Sequence, residues 1–140
     1  VYLAVEACSG MLCRDYYTIK GLLDSVKSKY LAVNMDPSWY NLSRNDVPWV
    51  VRRLGERIKH VHMKDSVGLP GEEGWDFMFP LLGEGTVDWE GFFEALRDVG
   101  YNGFLSVEFE SKNYFNNILG GDCAKAAEIS MEHLKKLSKR

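Results

Sequence analysis

The sequence predicts an α/β protein built on a parallel sheet, and the order of its apolar segments is the main reason. Four short apolar segments, residues 1–6, 30–36, 58–65 and 103–108, alternate with segments whose apolar residues recur at helical spacing. Alternating strands and helices imply a parallel sheet with right-handed crossovers. The strands are nearly uniformly apolar, which is typical of strands that are covered on both faces or that line a barrel interior.

Composition indicates a globular protein and excludes several functions. The chain is 46% hydrophobic and 26% charged, and its 140 residues suit one domain, residues 1–140, or a piece of one. The net charge is −3, and the one basic run, KKLSKR in the last turn, suits a helix C-terminus better than nucleic acid. No apolar run is long enough to cross a membrane. The three cysteines, odd in number and without a zinc-site spacing, indicate a reducing, cytoplasmic compartment.

Four helices are predicted, and the residues that precede them are common N-terminal caps. These are Asp15, Asn45 or Asp46, Asp88, and Asp122 after a Gly-Gly pair. Gly100 is expected to end the third helix in the C′ position. The inward face of the last helix is expected to consist of small and apolar residues, namely Ala124, Ala127, Met131 and Leu134.

Two segments are predicted to be loops at the C-terminal ends of strands. Pro37 is expected to stop the second strand, with a loop running through Trp39. A longer loop is expected over residues 66–87, which include five glycines and three aromatic residues. Loops of this length in a compact domain are usually lids or binding loops. We expect this one to fold over the sheet edge and to bring Trp75 or Phe77 near a substrate; a mobile surface excursion is the alternative.

Each predicted strand delivers one residue that can bind a metal or move a proton, namely Glu6, Asp36, His62 and Glu108. In a parallel barrel the carboxyl ends of the strands share one rim, so these side chains are expected to converge. Three like charges close together are unfavourable unless a cation lies among them. Oxygen ligands with one nitrogen suit a single divalent ion, Mn²⁺, Mg²⁺, Co²⁺ or Zn²⁺, in an open site. The alternative is that Glu6 and Glu108 pair with lysines at the rim.

The third strand, IKHVHMKD, carries the densest set of ionisable groups. His62 is expected to bind the metal through one ring nitrogen while an acceptor holds the other nitrogen. His60 has the same strand parity and should lie one layer deeper in the barrel. Lys64 is expected to contact the substrate by supporting an oxyanion, or else to form a salt bridge with Asp65.

Several motifs make the chain resemble the C-terminal half of the xylose isomerase-like TIM-barrel superfamily, the sugar phosphate isomerase/epimerase group. The matching segments spread over nearly the whole chain: VNMDPSW, IKHVHMKD, LGEGTVDW and GYNGFLSVEFE. The resemblance implies a (β/α) half-barrel, whose four βα units correspond to the C-terminal half of a TIM barrel. It also implies that Glu6, Asp36, His62 and Glu108 hold one divalent metal.

The resemblance implies an activity as well. In the epimerase branch, the metal-bound glutamates, here Glu6 and Glu108, also exchange protons with the substrate. The expected function is a metal-dependent sugar or sugar phosphate isomerase or epimerase that removes a proton beside a carbonyl and passes through an enediolate. A metal-dependent dehydratase or lyase acting on a polyol or keto-sugar would use the same ligands. A non-catalytic barrel fragment is the remaining alternative.

One position departs from the family pattern. Where members of the family often read Asp-Pro-Ser-His, this chain has Trp39 in place of the histidine. The related endonuclease IV branch uses that histidine for its zinc cluster, so its loss argues against a nuclease. Trp39 is expected either to stack on a sugar face or to serve as packing. Its presence also removes one usual substrate contact.

The number of βα units raises the question of assembly. A barrel needs eight units, and this chain supplies four. The first and last strands would both be sheet edges, and both lack the lysines and prolines that protect edges. The chain also begins with Val1 in place of Met. We therefore expect either a missing N-terminal half or a homodimer that buries these edges.

Overall fold

The computed structural model describes residues 1–70 and 75–138, except for the side chains of residues 70, 75 and 76. The strands within the described residues are β1 Leu3–Glu6, β2 Leu31–Met35, β3 Ile58–Met63, β4 Val67–Pro70, β5 Trp75–Met78 and β6 Leu105–Val107. The α-helices are α1 Tyr16–Ser25, α2 Pro37–Leu42, α3 Val47–Leu54, α4 Trp89–Asp98, α5 Lys112–Asn117 and α6 Cys123–Leu137.

The strands β1, β2, β3 and β6 form one parallel sheet in that order. In its register Glu6 lies opposite Asn34, Asn34 lies opposite His60, and His62 lies opposite Ser106. Because all four strands run in the same direction, their carboxyl ends lie along one edge. The predicted α/β fold with four parallel strands, a partial TIM barrel, is confirmed. Within the described residues, β1 and β6 are the outer strands of this sheet.

The hydrophobic core lies between the sheet and the helices α1, α3 and α4. The sheet contributes fully buried residues of the two central strands, Val33, Met35, Val61 and Met63. The helices contribute Ile19, Val50, Val51 and Phe92. Since side chains alternate along a strand, the residues of the other parity carry the polar groups: Glu6, Asn34, Asp36, His60, His62, Lys64 and Glu108. The packed core therefore fixes the strands that present these polar groups.

The predicted helix starts are confirmed by their hydrogen bonds. Asp15 forms a capping box with Thr18, whose N–H donates to Asp15 Oδ1 over 2.8 Å and whose Oγ1 accepts from the Asp15 N–H over 3.1 Å. Of the two candidates for α3, Asp46 is the cap, because it accepts from the Trp49 N–H. Asn45 instead accepts from the N–H of Tyr16 in α1, over 2.9 Å.

Both segments predicted to be loops contain regular structure, so that prediction is wrong in detail. Pro37 does end β2, but it also starts the short helix α2, with Asp36 as the N-cap. Proline suits the first helical turn because its missing N–H is not needed there. Within residues 66–87, β4 and β5 pair as an antiparallel hairpin. The residues that connect β4 and β5, 71–74, lie outside the described part of the chain.

The predicted inward face of α6 is largely wrong. Ala126, Ser130 and Leu137 are the buried residues of this helix, whereas Met131 is 48% exposed. Ser130 tolerates burial because its hydroxyl donates to the carbonyl of Ala126 over 2.7 Å. The predicted face, of which Leu134 is partly buried, borders an apolar groove along β6 that no described element fills.

Asp65 organises the chain between the hairpin and α4. Its carboxylate is fully buried and accepts hydrogen bonds from the backbone N–H groups of Ser66, Gly83, Gly85 and Val87 and from the indole N–H of Trp89. Five donors on one carboxylate compensate for its burial. They also bind the LGEGTVDW motif to the end of β3. A Cβ on Gly85 would overlap this carboxylate, which explains why glycine is required there.

Replacing Asp65 with Ala should strongly destabilise the fold, because it leaves several buried N–H groups without an acceptor. We expect the free energy of unfolding, measured by urea denaturation, to fall by at least ~3 kcal/mol. The control is Asp24→Ala, which removes an exposed carboxylate that pairs with Lys20 and should leave stability nearly unchanged. Equal effects of the two substitutions would contradict the role given to Asp65.

Candidate metal centre

The structure brings the four predicted ligand residues together. One potential ligand atom from each of Glu6, Asp36, His62 and Glu108 lies within 4.8 Å of the others. These residues stand at or just beyond the carboxyl ends of β1, β2, β3 and β6. Separations of this size allow one ion to contact all four side chains at ordinary coordination distances. Parallel strand direction is thus the cause of the cluster, because it puts all four strand ends at one edge.

His62 turns its Nδ1 atom toward the carboxylates. That nitrogen lies 3.0 Å from Glu6 Oε2 and 3.5 Å from Glu108 Oε2. Nδ1 is therefore the ring nitrogen that a metal in this cluster would contact. The prediction that an acceptor holds the other ring nitrogen stays a prediction. His60 lies beside His62, with ring centroids 5.4 Å apart, and is not part of the cluster formed by the described residues.

Asn34 belongs to the same arrangement, although it was not among the site residues predicted from the sequence. Its side chain is buried on β2, and its amide nitrogen donates to Glu6 Oε2 over 2.7 Å and lies 3.2 Å from His62 Nδ1. Asn34 thereby fixes both neighbouring groups relative to each other. The available signal was weak: Asn34 is the single polar residue in an otherwise apolar strand, LAVNM.

Asp36 is fully buried and its two oxygens have different partners. Oδ1 accepts from the backbone N–H and the hydroxyl of Ser38, at 2.9 Å and 2.7 Å. Oδ2 lies 2.9 Å from the ammonium of Lys64. Burial raises the pKa of Asp36 from 3.8 to about 7, although Lys64 and Ser38 both favour the ionised form. Because Oδ1 is already bound by Ser38, Oδ2 is the oxygen of Asp36 that remains for a cation.

Lys64 lies inside the cluster, with its side chain 2% exposed. Its ammonium pairs with Glu108, with Glu110 at 2.9 Å and with Asp36. Burial by itself would lower the pKa of Lys64, but Asp36 and the hydrogen bonds to the two glutamates raise it above its usual value. The alternative of a salt bridge to Asp65 is wrong, because Lys64 pairs with these three residues while the Asp65 carboxylate accepts from backbone N–H groups and from the Trp89 indole. Whether Lys64 contacts a substrate stays a prediction.

The aromatic residues near the rim surround Lys64. The Trp39 ring centroid lies 5.0 Å and the Phe79 ring centroid 4.7 Å from its ammonium. Phe77 and Phe79 contact Trp39 edge-on, at 5.8 Å and 5.1 Å between centroids. Phe77 and Phe79, which belong to the segment predicted to be a lid, therefore lie over the rim at Trp39. The side chain of Trp75 lies outside the described part of the chain.

Cys8 lies beside the cluster but does not suit nucleophilic catalysis. Its Sγ atom is 3.7 Å from Glu6 Oε1. Burial, and next the negative charge of Glu6, raise the pKa of the Cys8 thiol to about 12. The thiolate, which is the nucleophilic form, is therefore scarce near neutral pH. The chemistry of this site rests on carboxylates, imidazole and ammonium.

Comparison with known proteins identifies the family. The family model described as xylose isomerase-like TIM barrel matches residues 1–137, and the chain belongs to this family. Among curated relatives, the putative L-ribulose-5-phosphate 3-epimerase SgbU of Escherichia coli is 29% identical over 108 residues, covering 77% of this chain and 38% of SgbU. The inosose dehydratase of Clostridium perfringens strain 13 is 30% identical over 112 residues, covering 72% of this chain and 38% of that enzyme.

Solved structures agree with the fold. The crystal structure of IOLI protein with a binding zinc atom superposes with a TM-score of 0.79 at 15% identity, covering 99% of this chain and 49% of that one. The chain thus spans about two fifths of the length of the two curated relatives and about half of this structure. The two curated relatives are enzymes by name. Within the described residues, no helix is long and apolar enough to cross a membrane.

The raised pKa of Asp36 predicts a pH effect on the metal-free protein. The folded chain retains a proton that the unfolded chain releases between about pH 4 and pH 7. The contribution of Asp36 to stability is therefore present at low pH and is lost as the pH rises through that window. Urea unfolding in EDTA should show Asp36→Asn gaining stability relative to the wild type between pH 5 and pH 8, on the order of 1 kcal/mol or more.

The matched control is Asp98→Asn, which changes an exposed carboxylate that pairs with Arg52. Its stability should follow that of the wild type across the same pH range. If Asp36→Asn also follows the wild type, the carboxylate of Asp36 does not titrate with a raised pKa.

Proposed function

We propose that this chain carries the metal centre of an isomerase or epimerase that acts on a small sugar or sugar phosphate. The observation that carries the proposal is the convergence of Glu6, Asp36, His62 and Glu108, whose ligand atoms lie within 4.8 Å of one another. Three carboxylates and one imidazole suit one Mn²⁺, Mg²⁺, Co²⁺ or Zn²⁺ ion with coordination positions left for a substrate. The epimerase named among the relatives supports the same class of reaction.

The two glutamates are suited to moving protons. Both are partly exposed, with 20% of the Glu6 side chain and 35% of the Glu108 side chain accessible, so a substrate can reach them. One would take a proton from the carbon beside a carbonyl, and the other would return a proton to the opposite face. A divalent ion held at this site would polarise the carbonyl and so acidify the adjacent C–H group. Asn34, which donates to Glu6 Oε2, would hold that carboxylate in place.

A dehydratase acting on a polyol or keto-sugar is the second candidate. It is favoured by the similarity to inosose dehydratase, which covers 72% of this chain. The first step would be the same proton removal beside a carbonyl. The reactions then diverge, because a dehydratase expels a hydroxyl group from the next carbon in place of returning the proton. The product therefore distinguishes the two candidates.

Deuterium exchange tests this function directly. The protein loaded with Mn²⁺ or Co²⁺ should incorporate deuterium from D₂O at the carbon next to the carbonyl of a ketose or ketose phosphate. Glu6→Gln and Glu108→Gln should each lower kcat by about 10²–10⁴-fold, because each removes a group that transfers a proton. The readout is NMR of a panel of ketoses and inososes, which also detects dehydration products.

The control for the exchange experiment is Glu94→Gln, an exposed glutamate near Arg52 on the outer helices, which should retain full activity. If the protein whose substrate pocket is completed by further βα units shows neither exchange nor dehydration with any of the four metals, the proposal is contradicted. That outcome would favour the non-catalytic alternative.

We further propose that additional βα units cover the exposed side of the sheet. The groove between β6 and α6 measures about 480 Å³, and its lining includes Leu105, Val107, Phe109, Phe115 and Met131. At the opposite edge, Leu3 is 68% exposed. Apolar surface and unpaired strand edges of this kind favour pairing with further polypeptide. A second copy of the chain, or further sequence of the same protein, would complete the wall of the substrate pocket.

Light scattering during size-exclusion chromatography tests this assembly. The 140-residue polypeptide alone should form a dimer or larger species, because its apolar groove and edge strands remain uncovered. Phe104→Lys and Leu3→Lys place charges on exposed apolar positions at the two edges and should shift the population toward monomer. A monodisperse monomer that turns over a ketose would contradict the proposal.

We also propose that the protein is cytoplasmic. Cys8, Cys13 and Cys123 are free cysteines in the structure, and reduced thiols are typical of that compartment.

A further inference from the structure

The ammonium of Lys64 contacts the oxygens that a metal would need. Asp36 Oδ1 is already bound to both the N–H and the hydroxyl of Ser38, so Oδ2 is its remaining oxygen. Lys64 Nζ lies 2.9 Å from that Oδ2 atom and also contacts Glu108 Oε2. A divalent ion bound by Asp36 and Glu108 would compete with the ammonium for the same atoms. The lysine and the ion cannot both keep these contacts.

Glu110 offers the ammonium another partner. Its Oε2 atom lies 2.9 Å from Lys64 Nζ, and its side chain is 34% exposed. Glu110 is absent from the group of residues whose ligand atoms converge. The rings of Trp39 and Phe79 lie 5.0 Å and 4.7 Å from the ammonium and would keep it near the rim after it leaves Asp36. Lys64 can therefore release Asp36 and Glu108 while it keeps its contact with Glu110.

We propose that Lys64 is an internal counter-ion, which contacts Asp36, Glu108 and Glu110 when no metal is bound and keeps only Glu110 when a metal binds. The inference rests on the proposed metal centre. In the metal-free protein the ammonium reduces repulsion among the clustered carboxylates. In the metal-bound protein it remains close enough to neutralise Glu110. Lys64 is thus a positioning residue that acts through Asp36 and Glu108.

If Lys64 only supported the structure of the site, its removal would weaken metal binding. The counter-ion role predicts stronger metal binding. Removing the ammonium frees Asp36 Oδ2 and removes a positive charge that repels the incoming ion. Lys64→Met should therefore bind Mn²⁺ more tightly than the wild type, by about tenfold or more. The same substitution leaves the buried carboxylate of Asp36 without a cation, so the metal-free protein should unfold at a lower temperature. Saturating Mn²⁺ should remove most of that difference in Tm.

Glu110→Gln supplies a second test that keeps Lys64 in place. Without Glu110 the ammonium has no alternative carboxylate and stays on Asp36 and Glu108. Mn²⁺ binding should therefore weaken several-fold, although Glu110 is not one of the converging ligands. The matched control is Lys59→Met, since Lys59 lies on the same strand β3 but is exposed. It should leave Mn²⁺ affinity unchanged.

Isothermal titration calorimetry with Mn²⁺ measures these affinities, and thermal unfolding in EDTA measures the metal-free stability. Tighter binding by Lys64→Met together with weaker binding by Glu110→Gln supports the counter-ion role. If the wild type binds Mn²⁺ but Lys64→Met binds it equally or more weakly, the counter-ion role is overturned while the metal centre stands. If Lys64→Met does not fold, the decision rests on Glu110→Gln. A Glu110→Gln protein that binds Mn²⁺ as tightly as the wild type overturns the counter-ion role. If the wild type does not bind Mn²⁺, the proposed metal centre is itself wrong.

Discussion

The structure depends on one electrostatic constraint: carboxylates gathered at the ends of neighbouring parallel strands require a cation. Glu6, Asp36 and Glu108 are held together because β1, β2 and β6 run in the same direction and the helices pack on the opposite face of the sheet. Without a cation their mutual repulsion would oppose the folding of these strand ends. Lys64 supplies positive charge from within the chain, and a divalent ion would supply more.

The convergence of Glu6, Asp36, His62 and Glu108 was predictable from the sequence because two regularities combine there. Apolar runs identify the strands, and alternation with helices makes them parallel, so each strand end must lie at the same rim. The partners of Lys64 were not predictable in the same way. Asp65 is its neighbour in sequence, but the Asp65 carboxylate is bound by N–H groups of the LGEGTVDW segment. The actual partners, Asp36 and Glu108, come from two other strands.

Other errors also arise where tertiary contacts override local signals. Pro37 was correctly expected to end a strand, but the same residue is favourable in the first turn of α2. The inward face of α6 was misassigned because its apolar stripe borders a groove that no described element fills. Asn34 resembles a tolerated polar residue in a buried strand, and its role becomes visible only when β1 and β3 are placed on either side of it.

The most direct test of the central claim is a crystal structure of the protein soaked with Mn²⁺, with anomalous diffraction to locate the ion. The account predicts one anomalous peak bounded by carboxylate oxygens of Glu6, Asp36 and Glu108 and by Nδ1 of His62. A peak that lies elsewhere, or one that lacks Asp36 or His62 among its ligands, would contradict the claim that the four strand ends form a single metal centre.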